Sequence, residues 1–241
     1  MNWGRIRGKL EAGWLILKGK VQPSYSQAGE DQVIRYLFND CLQLTNPRYL
    51  DIGTFHPIYG NNTYYFYLRG AHGVCIEPNP FYASLIRKHR PRDIFLPAGL
   101  GVGSVTTSDF FRFPDQYAGW NTFSEEEAIR RQSETGIDYE RLRDIPLVNV
   151  NEVMDKYFET GPHLISLDVE GLDLDILQSI NFNRFRPEVV CVESITFSNS
   201  NEQQKIPEIA SFMQSSGYFA FADTYVNTIY CRQESFKKII R

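Results

Sequence analysis

Apolar positions along the chain fall into short unbroken runs separated by stretches with helical spacing. Tyr49–Ile52, Gly73–Glu77, Ile94–Ala98, Leu147–Val150, His163–Asp168 and Glu188–Glu193 are apolar nearly throughout, the mark of strands buried on both faces. Helical segments are predicted between them. These are Ser26–Phe38 with acid in its first turn, a helix capped by Asn62-Thr63 and running to Leu68, Pro80–Arg90, Asn151–Phe158, Leu172–Ile180 and Ile206–Ser216. Ser104–Phe113 alternates and reads as a strand or hairpin, and Tyr218–Asp223 with Thr228–Arg232 reads as a final antiparallel pair. Residues 114–146 are polar and irregular apart from a charged helical patch at Ser124–Arg131. A loop of that length inside a compact domain points to a substrate-side insert.

Strands alternating with helices predict an α/β fold of three layers, a mostly parallel sheet between two helical layers with an antiparallel edge pair at the C-terminal end. Right-handed crossovers bring the C-terminal ends of the strands to one rim, where open α/β sheets bind ligands. Asp51, Glu77, Asp168 and Glu193 each end or follow an apolar run, so four carboxylates are expected on that rim.

Charge alters the picture at one end. The chain has 25 basic and 29 acidic residues for a net of −4, which gives no excess for binding nucleic acid. Residues 1–20 carry five cations against Glu11, a net of +4 that leaves −8 for the remainder. Trp3, Ile6, Leu10, Trp14 and Leu17 recur at helical spacing there. Residues 1–22 are therefore expected as a basic amphipathic helix or leader, and 23–241 as a single domain. Such a helix lies on an anionic membrane surface, packs on its own domain, or associates with a second subunit. No apolar run is long enough to cross a bilayer. Cys41, Cys75, Cys191 and Cys231 lack metal or redox spacing, so a reducing cytoplasm is the expected compartment. Asn61-Asn62-Thr63 is a glycosylation sequon, relevant only to a secreted chain.

Two glycine-bearing turns compete for a nucleotide-type cofactor. Gly99-Leu-Gly101-Val-Gly103 has the wrong spacing for a dinucleotide fingerprint and precedes a strand, so it reads as turn glycine. Asp51-Ile-Gly53 follows the first central strand but lacks the further glycines that admit a pyrophosphate. A cofactor without phosphates, S-adenosylmethionine, does not need them. Glu77, 26 residues after Asp51, is placed to accept both ribose hydroxyls. Asp51 is expected beside the ammonium and sulfonium, with Gly53 allowing close approach. A nicotinamide-dependent oxidoreductase is the rival enzyme, and a non-catalytic sugar-binding module the rival of another class.

The blocks SQAGED (26–31), YLDIG (49–53), Asn62-Thr63, CIEPNP (75–80) and LDVEG (167–171) together resemble the FkbM-type methyltransferases. That resemblance implies the class I, Rossmann-like S-adenosylmethionine-dependent fold and O-methyl transfer, with a sugar, polysaccharide or glycosylated natural product as the acceptor. It implies Asp51, Gly53, Glu77 and Pro78 as cofactor contacts, draws Gln27 and Glu30 toward the methionine end, and sets Ala98 and Gly99 beside the adenine.

A sugar hydroxyl needs a base or a metal to lose its proton at neutral pH. Asp168 and Glu170 are the candidate bases, and His56, in the turn after the cofactor strand, is another. Asp168, Glu170 and Glu193 have the hard-oxygen chemistry to hold a divalent cation. The metal-free version is preferred because no dedicated metal motif is present. The segment Tyr117–Phe123, with Trp120 and Asn121, combines stacking and hydrogen-bonding groups suited to a sugar.

Overall fold

The computed structural model describes residues 3–169, 171–196 and 203–237, with side chains described from residue 6 to residue 236 within those ranges. Its first elements are α1 (Trp3–Leu17), α2 (Glu30–Tyr36) running into a π turn at Leu37–Cys41, β1 (Tyr49–Ile52), α3 (Tyr64–Leu68), β2 (Gly73–Ile76), α4 (Pro80–His89) and β3 (Ile94–Leu96). Then come β4 (Gly99–Leu100), β5 (Thr107–Arg112), a 3₁₀ segment at Asp115–Trp120, α5 (Glu125–Thr135) and β6 (Glu140–Val148). The chain continues through α6 (Val150–Tyr157), β7 (Leu164–Leu167), α7 (Asp173–Ser179), β8 (Val189–Glu193), α8 (Pro207–Ser215), β9 (Tyr218–Asp223), β10 (Asn227–Arg232) and α9 (Gln233–Lys237).

Seven strands form one sheet in the order β3-β2-β1-β7-β8-β10-β9. Pairings from β3 through β8 are parallel, while β10 runs antiparallel to both β8 and β9. The reversed strand is therefore internal and β9 holds the edge. Period-2 alternation sends Leu50, Ile52, Val74, Ile76, Ile165 and Leu167 to a face covered by α6, α7 and α8 through Val153, Met154, Ile176, Leu177, Ile209 and Met213. Tyr49, Leu164, Val189 and Cys191 face the opposite layer, where Ile34 of α2 and Tyr65, Phe66 and Tyr67 of α3 pack. This is the class I methyltransferase arrangement, with the first half of the sheet and the second half meeting at β1 and β7.

Three expectations change. Residues 26–29 do not extend the helix to Ser26, because Asp31 captures the preceding loop. Its Oδ1 accepts from the Ser24 and Ser26 hydroxyls, and its Oδ2 from the Tyr25 N–H. The insert is not one irregular loop. The patch expected to be helical is α5, capped by Ser124, and the residues after it form the nine-residue strand β6, which begins seven residues before the predicted Leu147 start. Together β4, β6 and β5 make a second, three-stranded sheet. Its pairing is charge-rich, with Arg112 against Glu140 and Arg141 against Asp109, which is why no apolar alternation marks β6.

The third change concerns the leader. Leu10, Trp14 and Leu17 of α1 are 70%, 58% and 87% exposed, so the helix does not bury that stripe on its own domain. Among the described residues no helix is long and apolar enough to cross a membrane. The four cysteines are free thiols, and the sequon residue Asn61 is buried, bonded to Asp51 and Thr54.

Candidate active site

The aligned register of Ile52, Ile76 and Leu167 puts the residues that follow them around one cavity of about 340 Å³ at the C-terminal rim. Its wall includes Gly53, Glu77, Pro78, Asp168 and Glu193 from strand ends, Ala98 and Gly99 from the approach to the second sheet, and Gln27 from the loop before α2. Phe110 of β5 and Ala118, Asn121, Thr122 and Phe123 of the insert close the cavity from the other side.

Glu77 is buried at 6% exposure, and its two carboxylate oxygens are each anchored by backbone. The Phe55 N–H donates to Oε2 and the Asn79 N–H to Oε1, both at 2.8 Å. Burial nevertheless pushes its carboxyl up to about 7, against those two bonds. Phe55 sits in the left-handed region at φ +53°, an unfavourable setting for an aromatic residue that surrounding structure must hold. Its bond to Glu77 is one such restraint, and its ring packs on Tyr82 at 4.8 Å. Phe55 lines the cavity, and nothing in the local pattern of TFHP announced it.

Asp168 follows β7, its N–H donating to the Ile52 carbonyl at 3.1 Å. Its own carbonyl lies over Gly53: a Cβ there would stand 1.8 Å from that oxygen, and Gly53 has φ +74°. Glycine at 53 is thus demanded by the approach of the two central strands, beyond any room it gives a ligand. Burial raises the Asp168 carboxyl to about 6, with repulsion from Asp51 and Glu30 adding to it. Asp173 accepts from the Val169 and Gly171 N–H groups at 3.2 Å each, and burial followed by repulsion from Asp168 lifts it to about 7.

These three acids hold protons more tightly in the folded chain than in the unfolded one. Their contribution to stability is complete below the ordinary carboxylate range and is lost as pH rises through about 6 to 7. For the ligand-free protein we expect Tm to fall by about 5–10 °C between about pH 4.5 and pH 7.5. Differential scanning calorimetry checks this, and a Tm that rises across the window would contradict it.

Four residues proposed from the sequence lie outside the cavity wall. Asp51 belongs by alternation to the opposite face of β1 from Ile52. Its Oδ2 accepts from Thr63 Oγ1 at 2.6 Å, from Asn61 Nδ2 at 3.1 Å and from Arg90 at 3.1 Å. Glu30 is fully buried, accepting from Thr224 and Asn227 through Oε1 and from the Ala28 N–H through Oε2. Burial opposes its ionisation, but those bonds outweigh it and hold the carboxyl below its ordinary value. Its work is to tie the start of α2 to the β9–β10 turn.

His56 orders its own loop. Nδ1 accepts from the Ile58 N–H at 3.2 Å, and the ring stacks on Tyr59 at 3.7 Å. Trp120 packs inside the insert, stacked on Tyr117 at 4.6 Å and edge-on to Phe113, because a large indole gains more from that small core than from an open rim. Asn121 does reach the cavity wall, although its Oδ1 also accepts from the Phe113 N–H. Gly99 is a strand residue, not turn glycine. A Cβ on it would meet the Phe123 ring at 2.3 Å, so its bareness lets the insert close.

Glu170 lies outside the described residues. Among the described residues no three His, Cys, Asp or Glu side chains converge as metal ligands.

The donor set fits a phosphate-free nucleoside cofactor. Carboxylate oxygens at Glu77 match vicinal hydroxyls, and Asp168 supplies an acid that a neighbouring cation would ionise. Ile76, Pro78, Ala98 and Leu100 give an apolar stretch of wall suited to a base.

Solved structures similar to this chain include the magnesium protoporphyrin IX methyltransferase of Synechocystis PCC 6803 with bound SAM, at 10% identity and TM-score 0.42, covering 84% of this chain and 77% of that one. A putative O-methyltransferase from Klebsiella pneumoniae is 12% identical at TM-score 0.42, covering 88% of this chain and 83% of that one. The O-methyltransferase of Bacillus cereus in complex with SAH is 11% identical at TM-score 0.41, with coverage of 92% and 89%. No relative among curated proteins matches the sequence. The methyltransferase FkbM domain matches residues 51–220, from within β1 into β9; with the strand order and the rim cavity already described, this chain belongs to the FkbM methyltransferase family.

Proposed function

We propose that the protein is an S-adenosylmethionine-dependent O-methyltransferase whose acceptor is a hydroxyl of a sugar, polysaccharide or glycosylated natural product. The observation that carries the reading is the gathering of Glu77, Asp168 and Glu193 in the wall of one cavity beside Gly53. S-adenosylmethionine supplies an electrophilic methyl group on a sulfonium. Glu77 binds the ribose hydroxyls, pre-aimed by the Phe55 and Asn79 N–H groups. Pro78, Ala98 and Gly99 border the adenine, and Gln27 and Gly53 lie toward the methionine end. Phe55, Phe110 and Phe123 exclude water from the cavity and offer faces to the C–H side of a sugar, while Asn121, Thr122 and Glu193 meet its hydroxyls.

Asp168 is the base that takes the acceptor proton as the oxygen attacks. A carboxyl at about 6 is deprotonated for the most part at neutral pH, yet basic enough to accept a proton in the transition state. Alignment of the acceptor behind the methyl group supplies much of the remaining acceleration, up to about 7–11 kcal/mol in favourable systems.

Binding is tested with S-adenosylhomocysteine by isothermal titration. Glu77→Ala is expected to weaken it by about 1–3 kcal/mol, the scale of a lost charge-assisted bond, with Glu77→Gln as the companion that keeps an acceptor for one backbone N–H. An unchanged affinity in both variants removes Glu77 from the site. Methyl-labelled cofactor incubated with a panel of glycans tests the acceptor class: label on oxygen of a sugar supports it, and label on nitrogen or carbon of another acceptor overturns it.

A further inference from the structure

α1 carries a feature that methyl transfer does not use. Leu10, Trp14 and Leu17 follow one another at four- and three-residue spacing on one side of the helix and are exposed to 70%, 58% and 87%. Ile6 continues the row and is half-buried. Arg7 and Lys18 fall on one flank of this stripe and Lys9 on the other, with Lys20 just past the helix end. Lys18 also extends over the Trp14 ring at 5.5 Å. Glu11 is the single acidic residue of the segment, and it is paired with Arg7.

We propose that α1 docks on an anionic lipid surface, the stripe entering the headgroup boundary and the flanking cations meeting lipid anions. Apolar side chains bounded on both sides by Lys and Arg are suited to a plane that is apolar beneath and negative above. Pairing two copies stripe to stripe would set Arg7, Lys9 and Lys18 of each against the same cations of the other, a repulsive arrangement. A nucleic acid would satisfy the cations and leave the stripe in water.

The helix also needs a surface. Gly8 and Gly13, both poor helix formers, lie within it, and a segment of this length is marginal in water. After α1 the chain is pinned to α3, where Gln22 accepts from the Tyr65 hydroxyl and from Arg69. Gln27, in the cavity wall, follows five residues later. Docking by α1 therefore tethers the cavity to the lipid surface by the ten residues after Leu17, at most about 35 Å of chain.

Co-sedimentation of the full chain with phosphatidylserine–phosphatidylcholine vesicles, against phosphatidylcholine alone, tests this. The wild type is expected to bind the anionic vesicles, weakening as salt is raised. Lys9→Gln/Lys18→Gln should lower the partition coefficient at least about tenfold, since each cation near the surface accounts for about fivefold. Leu10→Ser/Trp14→Ser should abolish binding, and Trp14→Ser alone should reduce a blue shift of tryptophan emission seen on vesicle addition. Tm in the absence of vesicles should be the same in all variants, because the substituted side chains are mostly exposed. Three results would overturn the proposal: no binding to anionic vesicles, equal binding to both vesicle types, or a dimer in sedimentation velocity that Leu10→Ser/Trp14→Ser abolishes while vesicles go unbound. A lower Tm in the stripe variant would likewise overturn it, as it would place the stripe against the protein.

Discussion

Replacing Asp168 by asparagine should lower methyl-transfer turnover by about 10²–10⁴-fold, the range for loss of a positioned general base, while S-adenosylhomocysteine still binds. Asparagine keeps the size of the side chain and loses only the capacity to take a proton. Main-chain geometry at 168 is fixed independently of the side chain, through the bond from its N–H to Ile52 and the seat of its carbonyl over Gly53, so the cavity should keep its shape. Single-turnover kinetics with labelled cofactor, beside titration of the product cofactor, separate chemistry from binding. Turnover within about threefold of wild type would dismiss Asp168 as base, well short of the loss general-base removal causes. Glu193, at the end of the neighbouring strand β8 and in the same cavity wall, would then be the next carboxylate to test.

The second large effect is on folding. Arg90, 1% exposed, lies between two buried carboxylates, with Asp51 at 3.1 Å and Asp93 at 2.7 Å. It also donates to Thr63 Oγ1 at 2.7 Å and Asn61 Oδ1 at 3.2 Å, and its guanidinium faces the rings of Tyr49 and Tyr67. Arg90→Met should cost about 3–5 kcal/mol, because two acids would be left in the interior without their cation. Urea denaturation measures this directly. The triple variant Arg90→Met/Asp51→Asn/Asp93→Asn should recover a large part of the loss, since the uncompensated charge and not the missing contact is what destabilises. A triple variant no more stable than Arg90→Met would refute that account.

This network also explains why Asp51, expected at the cofactor, lies outside the cavity wall. Every residue of β1 is buried, so the strand has no polar face to reveal which way its one carboxylate points. Its partner is Arg90, 39 positions away at the C-terminal end of α4, where the local pattern shows only the last turn of a helix. Glu77 was legible because it follows its strand, past the last paired residue, where a side chain is free to enter the rim. Glu30 lies off the cavity wall for the same reason: its partners, Thr224 and Asn227, are almost two hundred residues distant. Phe55 left no trace because a left-handed aromatic is held by a distant carboxylate and not by its neighbours in sequence.

By itself the sequence determined the alternation of strands and helices, the parallel core of the sheet and the rim at which Glu77, Asp168 and Glu193 emerge. Those features follow from local periodicity and from where apolar runs stop, which are properties of neighbouring residues. Only the tertiary structure decided that Asp51 and Glu30 are fastenings, that Trp120 belongs to the insert's own core, that β6 builds a second sheet from cross-strand ion pairs, and that α1 leaves its stripe uncovered. Each of these depends on a partner far along the chain or on the lack of one, and the free energy of a buried charge or ring is set by that partner, which no local pattern carries.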